Sequence, residues 1–249
     1  MNIHLAILLT AGAFVASAGY AQTPKQFTVD QLVAKNTEAK GGASALQALQ
    51  SLRCFGKVIA NGGQLEFGYV QTRKRPAVRT EYALQGMTSV QAYDGTEAWK
   101  ISPFQGRKDP EKMTADDTKS LIEEAEIDGP LIDWRTKGST VEYLGTEDIE
   151  GTQAHKLKVA RKNGDITYVY LDPDAFLEIR TVTQRTEQGA RVEVETDIGD
   201  YEKIGGVFIP FFLEGGPKGS SNEQKIFIEK AEPNVPVDDS FFRFPAAAM

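Results

Sequence analysis

Apolar and polar residues alternate with a period of two from Ser51 to Ala231, cut every few residues by turn dipeptides, and this pattern leaves little room for anything but an antiparallel sheet. The first run predicts strands at Leu52–Ala60, Gln64–Val70, Val78–Leu84, Thr88–Tyr93 and Glu97–Ile101. Between them stand Asn61 with Gly62 and Gly63, Arg75 with Pro76, Gln85 with Gly86, and Asp94 with Gly95. Such residues supply the positive φ or fixed φ that tight connections need. A second run predicts strands at Val141–Gly145, Gln153–Arg161, Ile166–Leu171, Phe176–Gln184, Arg191–Tyr201, Val207–Leu213 and Lys225–Ala231. No Pro- or Ser-rich linker divides the meander, so residues 22–249 are expected to form a single domain.

Between the runs the period becomes helical. Thr114, Ala115, Asp116 and Asp117 form a helix start with acidic residues near its positive end. Leu121, Ile122 and Ala125 follow on one side, and Leu131–Trp134 reads as one further helical turn. Before the first strand, Thr28 and Gln31 have capping-box spacing, and Gly41–Gly42 is a helix stop. A short helix then places Leu46 and Leu49 on one face.

The parity of the strands predicts a two-faced sheet. Leu65, Phe67 and Tyr69 share a side, as do Val78, Tyr82 and Leu84, whereas Arg79 and Glu81 point the other way. Arg191, Glu193 and Glu195 oppose Val192 and Val194. The helices are too few for a second full layer, so a sheet this long must curl around them with an apolar concave side. The expected class is mainly β with a few helices.

Residues 1–21 contain no Asp, Glu, Lys or Arg, and their apolar run from Leu5 to Val15 is shorter than the ~20 residues a membrane span needs. The run ends in small residues, Ala16-Ser17-Ala18 or Gly19-Tyr20-Ala21, and reads as a cleaved secretory leader. No cysteine stands at the cleavage point to take a lipid, so the expected location is the periplasm. With 28 basic and 35 acidic residues the net charge is −7, which disfavours a nucleic-acid partner. Cys54 is the single cysteine, so no internal disulfide forms.

The residues for common catalytic devices are missing. His155 and Cys54 share parity with core positions and read as buried groups. The acidic pairs have structural explanations: Asp116–Asp117 starts a helix, Glu123–Glu124 reads as a solvated helix face, and Glu193 with Glu195 lies beside Arg191. Neither a Gly-x-Ser-x-Gly nor a phosphate-binding glycine loop occurs, and Gly215–Gly219 lacks the strand–loop–helix setting. The expectation is a non-enzyme with neither metal nor cofactor. Aromatic residues remain: Phe55, Phe67, Tyr82, Trp99, Phe104, Trp134 and Phe211, read together as the lining of a cavity. Hydrocarbon binding needs area rather than catalysts, at about 0.8 kcal/mol per methylene withdrawn from water.

One set of motifs resembles a known family. Lys74-Arg75-Pro76, the Asp94-Gly95 hairpin after Gln91, Trp99, Pro103-Phe104 and the tail Asp238–Pro245 occur in the order seen in LolA-like periplasmic lipoprotein carriers. The Gly41–Gly42 stop and the Asn163-Gly164 hairpin are similar to a longer subgroup, the outer membrane lipoprotein-sorting proteins. The resemblance implies an unclosed antiparallel β-barrel of about eleven strands covered by helices. It implies an apolar cavity for the acyl chains of a lipidated protein or lipid, membrane donor and acceptor proteins as partners, and a monomer. Arg75 matches the arginine that holds the helical cover closed, and the tail matches a closing strand. The alternative is a periplasmic sensor or regulatory module that binds a protein partner through the same sheet.

Overall fold

The computed structural model describes residues 27–187, 189–220 and 223–245. The expected leader, residues 1–21, lies outside the described residues. Thirteen strands join one sheet in the order β6-β5-β4-β3-β2-β1-β13-β12-β11-β10-β9-β8-β7, with antiparallel neighbours throughout. The first meander comprises β1 (Ser51–Ala60), β2 (Gly63–Thr72), β3 (Ala77–Leu84), β4 (Met87–Tyr93), β5 (Ala98–Ser102) and β6 (Arg107–Lys112). The second comprises β7 (Thr140–Ile149), β8 (Thr152–Ala160), β9 (Ile166–Leu171), β10 (Glu178–Glu187), β11 (Ala190–Ile204), β12 (Val207–Pro217) and β13 (Gln224–Pro233). The two meet where β1 pairs with β13, leaving β6 and β7 as free edges.

Thirteen strands replace the expected eleven, and one of them, β6, escaped the sequence pattern. Its residues, Arg107-Lys108-Asp109-Pro110-Glu111-Lys112, contain no apolar side chain to alternate with. An edge strand tolerates this, because one side needs no ladder bonds and charges there discourage pairing with other chains. The tail also differs from the closing strand implied by the resemblance. Asp239–Phe241 forms a single 3-10 turn, capped by the Asp238 carboxylate. Leu131–Trp134 follows consecutive turns rather than a helix.

Helix α1 (Val29–Ala39) begins with both halves of the capping box: Gln31 N–H donates to Thr28 Oγ1 at 3.2 Å, and Thr28 N–H donates to Gln31 Oε1 at 2.9 Å. Gly41 then turns the chain at φ +118°, and any Cβ there would stand 2.2 Å from the Gly206 carbonyl oxygen. The glycine is therefore required twice, by its backbone angle and by the close approach of the β11–β12 turn. Helix α2 (Ala43–Ala48) follows, and helix α3 (Ala115–Glu124) starts from a Thr114 cap bonded to Asp117 N–H.

Each helix has its own apolar footing on the sheet. Leu32 of α1 packs with Leu157, Val159, Val169 and Leu171. Leu46 of α2 and the following Leu49 pack with Leu52, Cys54, Val207 and Ile209. Leu121 and Ala125 pack with Val78 and Ala98. Burying each such leucine contributes about 1.5–3 kcal/mol. Helix α3 touches β3 and β4 on one side and β10 on the other, although β3 and β10 are far apart in the strand order. A single helix reaches both only because the sheet curls around it.

The other, convex face carries a strap. Residues after β13 run back over it, burying Phe242 against Val70 and Ala77, and packing Phe244 against Val90, Ala92 and Trp99. Trp99 Nε1–H donates to the Phe242 carbonyl at 2.8 Å, and the Arg79 guanidinium lies over both Trp99 and Phe241.

Candidate functional site

Strand register assembles an apolar row across the concave face. Leu65 of β2 is directly opposite Val58 of β1, and Val58 is opposite Ile226 of β13. Ile226 is opposite Leu213 of β12, which in turn is opposite Ile198 of β11. Residues directly opposite share a face, so five consecutive strands present five aliphatic side chains in line. Val58 is buried, while Leu65, Ile226, Leu213 and Ile198 stay partly accessible, and none of these four packs into the cores under the helices. The result is an apolar groove inside the half-barrel, beyond the reach of the helices.

Aromatic side chains continue this surface toward α3. Phe67 stacks on Tyr69 with centroids 6.1 Å apart and meets Tyr82 at 5.8 Å. The Tyr69 hydroxyl donates to the Glu124 carbonyl at 3.1 Å, anchoring the C-terminal end of α3 to β2. Burial raises both tyrosine pKa values, and the nearby Glu124 carboxylate raises them further.

The acidic residues of α3 and the chain after it are not a solvated face, which corrects the sequence reading of Glu123–Glu124. They point at cations from the strands. Glu123 pairs with Arg161 of the β8–β9 connection at 2.9 Å and with Arg185 of β10 at 3.7 Å. Glu126 pairs with Arg161 at 2.8 Å and Lys137 at 3.4 Å. Asp128 binds Arg73. Burial pushes the Glu123 carboxyl up, Arg161 and Arg185 oppose this, and burial also lowers the Lys137 ammonium. Ion pairs at such depth are costly to form but very costly to break singly, so they lock α3 into one position.

Glu124 differs from these three acids. Among the described residues its carboxylate forms no salt bridge within 4 Å. Its side chain is accessible to water, yet burial by surrounding protein lifts its pKa from 4.5 to about 7. Both are true of a group inside a concavity that water reaches but protein encloses.

The helical cover is tied down by Arg73, in the β2–β3 turn. Its guanidinium engages both Asp128 oxygens, and donates to the carbonyls of Leu46 and Leu49 at 2.7 Å each. Beside it a cleft of about 380 Å³ opens between α1, α2 and the 127–136 segment, lined by Val33, Leu46, Ile132 and Trp134 among others.

The residues expected to line one cavity are distributed over the molecule. Phe67, Tyr82 and Phe211 are on the concave face, Phe211 against the α2 core. Trp134 borders the cleft under α1 and α2, with Arg135 over its ring. Phe55 is 44% exposed on the convex face, because its neighbours Cys54 and Val58 take the inward parity. Trp99 is only 1% exposed, but its burial comes from the strap on the convex side rather than from the concavity. Phe104, 41% exposed, belongs to a 3-10 turn at the sheet edge.

Arg75 meets Asp94 at 3.5 Å and Asp239 of the strap at 3.9 Å, and the contact with the helical cover belongs to Arg73 instead. The row Leu65–Val58–Ile226–Leu213–Ile198 was not foreseen. Its members have the right parity in the sequence, but a row across strands requires the register, which parity alone does not give. His155 accepts or donates a 2.9 Å hydrogen bond with the Tyr143 hydroxyl and stacks on Phe176, with burial lowering its pKa. Burial pushes the Cys54 thiol up to about 12. Among the described residues no group of His, Cys, Asp or Glu is arranged to hold a metal ion, and no helix is long and apolar enough to cross a membrane.

Neither a protein-family model nor a curated protein matches the chain by sequence. Solved structures do match its shape. One is a domain named as an outer membrane lipoprotein-sorting protein from Vibrio parahaemolyticus, with TM-score 0.58, 8% identity, and coverage of 86% of this chain and 97% of that one. Another is a LolA superfamily protein from Nitrosomonas europaea, also at TM-score 0.58, with 10% identity and coverage of 88% and 98%. The fold is LolA-like. A DUF1329 family protein from Desulfovibrio piger is similar as well, at TM-score 0.52, 11% identity and coverage of 88% and 98%. The LolA-like frame is thus kept at very low identity, as expected when alternation and turn chemistry, rather than particular side chains, specify the sheet.

Proposed function

We propose that this protein is a non-enzymatic, periplasmic binder or carrier of lipids or lipidated proteins, holding acyl chains against the concave face of its LolA-like sheet. On this reading residues 1–21 are a cleaved leader and residues 22–249 a single LolA-like domain. Membrane proteins that donate and accept the cargo would be its partners. One observation carries the proposal: the aliphatic row from Leu65 to Ile198 is continuous over five strands and uncovered by the helices. A chain of ten to twelve methylenes laid along it would gain on the order of 8–10 kcal/mol before ordering costs.

Parity provides the test. Leu213→Arg with Ile226→Arg places two charges on the concave row, and Phe55→Arg places one on the convex face of the adjoining strand. Binding of a fluorescent acyl probe is expected to weaken at least tenfold in the first variant and to stay unchanged in the second. A folded Leu213→Arg/Ile226→Arg protein that binds the probe as tightly as the parent would refute the groove.

A further inference from the structure

The aliphatic row ends in the aromatic wall of Tyr82, Phe67 and Tyr69, and behind that wall stands a carboxylate with no cation of its own. Along the acidic run Glu123, Glu126 and Asp128 are each engaged by Arg or Lys, whereas Glu124 is not, among the described residues. The groups facing Glu124 are Tyr69 of β2, Thr80 and Tyr82 of β3, Arg185 of β10, and Glu123 beside it on α3. Thr80 is 5% exposed and its hydroxyl lacks a hydrogen-bond partner of good geometry among the described residues. It lies near enough to the Glu124 carboxyl to temper the rise in its pKa, yet is not itself satisfied. A buried hydroxyl and an accessible carboxylate are therefore both left with hydrogen-bonding capacity at the end of an apolar groove, where native proteins rarely leave such capacity unused.

We propose that Glu124, with Thr80, is the polar anchor of the groove, selecting ligands whose hydrocarbon chain ends in a cationic or hydrogen-bond-donating group over those that end in a free carboxylate. This rests on the groove reading above and adds the ligand class. An incoming ammonium or amide N–H would meet an acceptor already in place, in surroundings of low polarity where charge-assisted hydrogen bonds are strong. An incoming carboxylate would meet like charge whenever Glu124 is ionised. Arg185, already shared with Glu123, reduces this repulsion without cancelling it.

The experiment is displacement of Nile red, an uncharged probe, from purified protein at pH 8.5 by dodecylamine, N-lauroylglycinamide and laurate, all below their aggregation limits. In the parent protein dodecylammonium and N-lauroylglycinamide are expected to bind at least tenfold more tightly than laurate. Glu124→Gln should retain Nile red and shrink that preference below threefold. Between pH 8.5 and 5.5 the parent should lose about tenfold in dodecylammonium affinity as Glu124 takes up its proton, and Glu124→Gln should not respond. Tighter binding of N-lauroylglycinamide than of dodecylammonium assigns the donor to an acylated peptide, and the reverse assigns it to a lipid amine; either agrees with the anchor. Identical preference and pH response in the two proteins, with Nile red bound to both, would overturn the anchor and leave the groove standing. If Nile red and all three amphiphiles fail to bind either protein, groove and anchor fall together.

Discussion

Replacing Arg73 by Met should loosen the helical cover before it unfolds the sheet. Helix α2 is only six residues long, far below what stands alone in water, so tertiary contacts hold it. Arg73 supplies several at once: both oxygens of Asp128 and the carbonyls of Leu46 and Leu49. The side chains of Arg73 and Asp128 are 23% and 12% exposed. Removing one partner of a buried ion pair costs about 3–5 kcal/mol. Partial exposure and the adjoining cleft let water reach Asp128, which places the cost near the lower limit, about 3 kcal/mol. At 1.4 kcal/mol per factor of ten this is about a hundredfold. Native-state hydrogen exchange reads it directly, at the Leu46 and Leu49 amides that bond to the Gly42 and Ala45 carbonyls. Those amides should exchange about a hundredfold faster in Arg73→Met, while the Val169 amide in central strand β9 stays protected. Arg73→Lys should recover little, since one ammonium cannot reach two carboxylate oxygens and two carbonyls together. Unchanged exchange at Leu46 and Leu49 in Arg73→Met would refute the assignment. So would an equal loss in an Asp128→Asn background, because the ion pair would then not be its source.

Trp99→Phe keeps the ring but removes the donor to the buried Phe242 carbonyl, an expected loss of about 1–3 kcal/mol; faster proteolysis within 234–245, with the rest of the chain intact, is the check. Gly41→Ala forces a Cβ toward the Gly206 carbonyl at positive φ and should cost at least about 2 kcal/mol, read from the urea midpoint; a neutral effect would exclude the close approach. Glu124 has its folded pKa raised from 4.5 to about 7, so the folded state holds a proton that the unfolded chain releases across this window. Its contribution therefore favours folding at low pH and is lost as pH rises from about 4.5 to 7. Glu124→Gln should accordingly stabilise the protein at pH 8 and change little at pH 4 in urea titrations, and equal effects at both would contradict the raised pKa.

The strands were legible because alternation and turn residues are local properties. Asn61-Gly62, Gln85-Gly86 and Asp94-Gly95 have the positive φ angles that their hairpins demand at Asn61, Gly62, Gln85, Gly86 and Gly95, and the Thr28–Gln31 box caps α1 through both expected bonds. The edge strand β6 was hidden for the same reason: an all-polar strand carries no alternation, and only its neighbour β5 makes it one.

The candidate site was legible only in part. Parity already told which residues of a strand share a face, and it placed Leu65, Phe67 and Tyr82 together. It could not tell which face a distant segment would cover. Trp99 is apolar and buried as expected, but a strap more than a hundred residues later made the convex side its shelter. Glu123 and Glu124 look solvated in the helix pattern alone, and became interior when the sheet brought Arg161 and Arg185 around α3. Arg73 and Arg75 are near-equivalents in a list of turn residues; the position of Asp128 decided which one holds the cover. Local sequence thus determined strands, turns, caps and the presence of an apolar face, since these depend on neighbours within a few residues. Register, curl and the choice between inner and outer cover depend on contacts far apart along the chain, and those the tertiary structure alone decided.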